Sequence, residues 1–106
     1  MRDALAAGPR SPEQTRLLVK HFLALLSERA PGASVEVRVP PYAAVQAVAG
    51  VRHTRGTPPA VVELDADTWI ALASGSLAWT DAEREGRVSA SGERADLSSL
   101  LPLESS

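Results

Sequence analysis

The chain predicts an α+β fold with an antiparallel-rich sheet, and three observations point there. A capped helix with an apolar stripe comes early, candidate strands cluster in the middle, and a second group of capped helices follows. Strands grouped in this way do not match a doubly wound fold, which interleaves each parallel strand with a helix.

Residues 1–10 carry Gly8 and Pro9 without periodicity and read as a loose terminus. Ser11 opens the first helix: its hydroxyl suits the N-cap, Pro12 the first helical position, and Gln14 completes a capping box. Leu18, Phe22, Leu25 and Leu26 repeat at helical spacing, with Leu17 and Val19 widening the face, and Pro31-Gly32 ends it. Val35, Val37 and Val39 then alternate with Glu36 and Arg38 as a half-buried strand stopped by Pro40-Pro41. The segment 42–49 fits helix or strand; its short length between proline and glycine breaks favours strand. Residues 50–59 form a loop, and Ala60–Leu64 read as a buried strand.

Asp65 caps a second helix, with Asp67 near the positive end of its dipole, Trp69, Leu72 and Ala73 on its apolar face, and Gly75 as the stop. Thr80 and Glu83 predict another capping box around a short helix closing at Gly86. Residues 87–91 alternate as a strand. A last helix is expected from about Arg94 to Leu101, presenting Leu97, Leu100 and Leu101 and ended by Pro102. The expected organisation is one domain over 11–103, followed by a tail at 104–106.

Composition narrows the function. At 106 residues and 44% hydrophobic the chain can bury one core. A formal charge of −2 gives no polybasic field for a nucleic-acid backbone or an anionic membrane. Without cysteine there is no disulfide scaffold, thiolate nucleophile or sulfur-ligated zinc. No stretch reaches signal-peptide or membrane-span length, because Lys20 and His21 interrupt the longest apolar segment. The expectation is a cytoplasmic protein with no cofactor, no nucleic-acid partner and no stable membrane insertion.

Residues 65–103 carry a frame of four parts. A helix ends in glycine (65–75), a short segment with Ala82 leads to Gly86, a strand and turn follow (87–92), and a leucine-rich final helix is expected over 95–101. This frame resembles the sterol carrier protein family. The run Val35-Glu-Val-Arg-Val-Pro-Pro-Tyr and the loop His53-Thr-Arg-Gly-Thr-Pro-Pro narrow the likeness to small bacterial sterol-carrier-like proteins. The resemblance implies a mixed, mostly antiparallel sheet of about five strands, covered on one side by helices. It also implies an apolar cavity between the layers that binds or shuttles sterols, fatty acids or fatty acyl-CoA without a catalytic step.

Under that resemblance the candidate apolar lining is Trp69, Leu72, Leu77, Trp79, Val88, Leu97, Leu100 and Leu101. Aromatic walls with few polar groups suit an acyl chain, and each buried CH₂ contributes about 0.8 kcal/mol. The plain reading is that these residues fill the core of a domain with little apolar surface to spare. Trp79 precedes the expected Thr80 cap, so it is either a hydrophobic staple or a residue at the cavity mouth.

The most polar constellation is the loop 52–57, where Arg52, His53, Arg55 and Thr57 are candidate contacts to a carboxylate or phosphate head group. Its other reading is a surface hairpin loop whose arginines pair with Glu36, Glu63 or Asp65. It lacks the frame of a P-loop. A general-base role for His53 lacks any nucleophile or oxyanion donor nearby in sequence, and the carboxylates sit at cap and turn positions without forming a metal cluster. No residue is assigned to catalysis. Two further classes compete with a lipid carrier: a ligand-free interaction or self-association module, including a homodimer, and an accessory domain to a small-molecule enzyme.

Overall fold

The computed structural model describes residues 10–49, 60–91 and 96–103. Helix α1 (Pro12–Arg29) is followed by strands β1 (Val35–Val39), β2 (Ala43–Ala47) and β3 (Ala60–Leu64), helices α2 (Ala66–Ser74) and α3 (Trp79–Arg84), and strand β4 (Val88–Ser91). The expected α+β class is the one observed.

Helix α1 starts where its local chemistry requires. The Ser11 hydroxyl accepts from the Gln14 amide at 3.1 Å, and the Gln14 side chain accepts from the Ser11 amide at 2.9 Å, so two otherwise unpaired donors are satisfied. Its buried stripe is Leu18, Val19, Phe22, Leu23 and Leu26. Leu17, expected on that face, is 59% exposed. At about 100° per residue it lies nearly opposite the centre of the buried arc.

The strands form a four-stranded sheet in the order β2-β1-β3-β4. β1 pairs antiparallel with β2 and parallel with β3, and β3 pairs antiparallel with β4. The sheet is therefore mixed and mostly antiparallel, with four described strands rather than about five. The segment 42–49 contributes edge strand β2, as its proline and glycine flanks favoured.

Val35, Val37, Val39, Val62 and Leu64 are buried, whereas Arg38 and Glu63 point away into solvent. One face of the sheet is thus packed and the other wet. β3 follows this alternation, which corrects the expectation of a strand buried throughout. The core under the packed face is completed by Phe22 and Leu26 from α1 and by Trp69, Ile70 and Leu72 from α2.

Asp65 caps α2, its carboxylate accepting from the Thr68 amide at 2.7 Å, and Gly75 ends it in the left-handed conformation at φ 90°. Helix α3 departs from the expected Thr80 box. Its N-cap is Ala78, without a side-chain cap bond, and Trp79 is already helical. Trp79 and Ala82, three residues apart, are the buried pair of α3, so core burial decides the start that the Thr80–Glu83 spacing suggested two residues later. Trp79 is accordingly no staple residue ahead of the helix. The turn still closes at Gly86, with the Arg87 amide donating to Ala82 O at 2.9 Å.

The expected last helix is absent from its described part, residues 96–101, which run as turn and extended chain. Asp96 accepts from the Ser98 amide at 2.8 Å, a local bond that competes with helix. The Leu100 and Pro102 carbonyls are taken by the Arg29 guanidinium, at 2.9 Å each.

Candidate functional site

The eight candidate lining residues converge on one apolar body. Trp69, Leu72, Trp79 and Leu97 are buried members of the core, while Leu77, Val88, Leu100 and Leu101 are half-buried and pack against it. Two of the buried members, Trp69 and Leu72, come from α2, where Thr68, Ile70 and Ala73 are buried as well and leave little solvent-facing surface. Such a helix must be covered on several sides. The half-buried members form a rim that still meets solvent.

Helical cover over the sheet thins toward β4. Val62 is completely buried, but its cross-strand partner Ala90, on the same face, is exposed. Val88, opposite buried Leu64, is only half-buried. Helix α3 is the element packed beside this strip. Arg87 joins β4 to α2, donating from Nε to the buried Thr68 hydroxyl at 3.1 Å.

The two tryptophans are both buried yet chemically unlike. The indole N–H of Trp69 donates to Val19 O in α1 at 3.3 Å. The indole N–H of Trp79 is buried and has no hydrogen-bond partner among the described residues.

Residues 96–103 act as a strap across the far ends of the helices. Leu97 is its fully buried anchor, Arg29 at the end of α1 holds two of its carbonyls, and the Leu103 amide donates to Ala73 O near the end of α2 at 2.9 Å. At the opposite end, the starts of α1 and α2 meet at a cleft of about 690 Å³ lined by Arg10, Pro12, Thr15, Pro40, Tyr42 and residues 65–67. Arg10, with its side chain 16% exposed, pairs with Asp67 at 2.9 Å. Sequence reasoning missed this cleft, because its lining comes from three segments far apart in the chain. The only local hint was that both helix starts carry strong caps. The candidate head-group residues Arg52, His53, Arg55 and Thr57 lie outside the described residues.

A four-stranded mixed sheet covered on one face, with an apolar body between its layers, is the frame in which the sequence comparison takes its meaning. The family model described as "Bacterial SCP ortholog" matches residues 11–103. The chain belongs to this bacterial sterol carrier protein (SCP) family. Among curated proteins, none matches it.

The match covers every described element of this SCP domain, from the Ser11 cap to the strap ending at Leu103. No described helix is long and apolar enough to cross a membrane. Among the described residues of the SCP domain, no three acidic or histidine side chains are grouped to hold a metal ion.

Proposed function

We propose that the protein binds an apolar lipid-like molecule, a fatty acid, fatty acyl-CoA or sterol- or isoprenoid-like compound, between its sheet and helices and carries it without chemical change. Membership of the bacterial SCP family over residues 11–103 is the observation that carries this reading. The thin cover over β4 and the half-buried rim of Leu77, Val88, Leu100 and Leu101 support it, since these side chains can exchange water contact for ligand contact. Fully buried Trp69, Leu72 and Leu97 serve as the packed wall behind that rim. Transfer of the chain from water drives binding, at about 0.8 kcal/mol per CH₂ buried.

In the same reading, Arg52, His53, Arg55 and Thr57 meet an acidic head group by charge-assisted hydrogen bonds. Arg55→Ala is expected to weaken a fatty acid or acyl-CoA several-fold while leaving the unfolding midpoint unchanged. Loss of folding in that variant would make the arginine structural.

Native mass spectrometry of freshly purified protein tests the function directly. A stoichiometric adduct of fatty acyl or polyprenoid mass is expected, together with a change in tryptophan emission when fatty acid is added. Silence in both measurements overturns the carrier reading. A concentration-dependent dimer in the same spectra would then favour self-association, for which the exposed outer strand β4 supplies an edge.

A further inference from the structure

We infer that the indole N–H of Trp79 is the donor that reads an oxygen acceptor on the bound apolar molecule. The site then prefers a chain bearing a carboxylate or carbonyl to the same chain without one. This rests on the lipid-binding reading above and adds, beside the proposed contacts at 52–57, one donor among the described residues for an oxygen of the ligand.

Trp79 is 5% exposed, and its Nε1 is buried without a hydrogen-bond partner among the described residues. Indole N–H is a donor only, and folded proteins pair nearly all buried donors because an unpaired one is costly. Trp69 obeys that rule through Val19 O. A phenylalanine at 79 would fill the core with a similar ring and bring no unpaired group, so the donor here is available for an acceptor from outside the chain. The nearest carboxylate on α3, Asp81, is engaged by Arg84.

Placement favours the same conclusion. Trp79 is the first residue of α3, the helix packed beside β4, where the inner sheet face is least covered at Ala90. An acyl chain lying on that strip runs alongside the helix that carries Trp79. The apolar strip holds the tail, and the indole selects for oxygen.

The full chain contains two tryptophans, so its proton–nitrogen spectrum has one indole signal for each, with Trp69 as an internal reference. The probes are laurate, methyl laurate and dodecylammonium, which carry a charged acceptor, a neutral acceptor and no acceptor. Laurate is expected to move the Trp79 indole proton downfield and leave that of Trp69 in place, while dodecylammonium moves neither. Methyl laurate separates the sources: a matching shift assigns a carbonyl as sufficient, and no shift assigns the carboxylate.

Trp79→Phe is expected to weaken laurate about three- to tenfold, the worth of one hydrogen bond, and to weaken dodecylammonium less. If laurate binds with the Trp79 indole unmoved, or if dodecylammonium moves it equally, the inference is overturned while lipid binding stands. If none of the three probes binds, the carrier reading fails and this inference falls with it. Should the variant not fold, the wild-type spectra alone decide.

Discussion

Trp69 joins the two main helices by a single directed bond. Its indole donates to Val19 O at 3.3 Å while the ring is 0% exposed, so one side chain supplies both packing and orientation between α2 and α1. Trp69→Phe keeps an aromatic ring but removes the bond to the Val19 carbonyl and opens a small void. The expected cost is about 1–2 kcal/mol, read as a lower urea midpoint with an unchanged m-value. Residue identity alone made Trp69 a core or lining residue, and its burial agrees. Leu17 shows the limit of that approach, because hydrophobicity placed it on the apolar face while helix rotation turns it outward.

Elements with local punctuation were the legible ones. The Ser11–Gln14 box, the Asp65 cap and the Gly75 stop act within a few residues, and each appears where its side-chain chemistry predicts. The turn between α1 and β1 obeys a longer-range constraint. Gly32 sits at φ 147°, and a Cβ there would lie 2.5 Å from the Ala49 nitrogen and against the Val48 carbonyl. That carbonyl also accepts from the Ser34 amide at 3.0 Å, so the close approach holds the start of β1 to the end of β2. Gly32→Ala is expected to destabilise by about 1–3 kcal/mol, measured by thermal unfolding. Gly32 read from sequence only as a helix stop; the second segment pressing on it is invisible until the strands pair.

At the scale of the molecule, the ends of α1 and α2 are held differently. Their starts meet at the open cleft, and their far ends are tied by the strap through Arg29, Leu97 and Leu103. Arg29→Ala removes two hydrogen bonds from an exposed latch. The expected loss is about 1 kcal/mol, with faster amide exchange confined to the strap and the end of α2. Unchanged exchange there would show that Leu97 alone fixes the strap.

By itself the sequence determined the α+β class, the two principal capped helices, the β1 alternation and the likeness to sterol carrier proteins, because caps, turns and periodicity are short-range physics. Tertiary structure alone decided what depends on partners distant in sequence. The β1–β3 pairing is parallel because β2 ends, and β3 starts, at the end of the sheet where β1 starts. α3 begins at Trp79 because the core takes that ring, and residues 96–103 form a strap because Arg29 claims their carbonyls. The unpaired Trp79 donor belongs to that second group, since a hydrogen bond left unmade is a property of surroundings and not of a residue type.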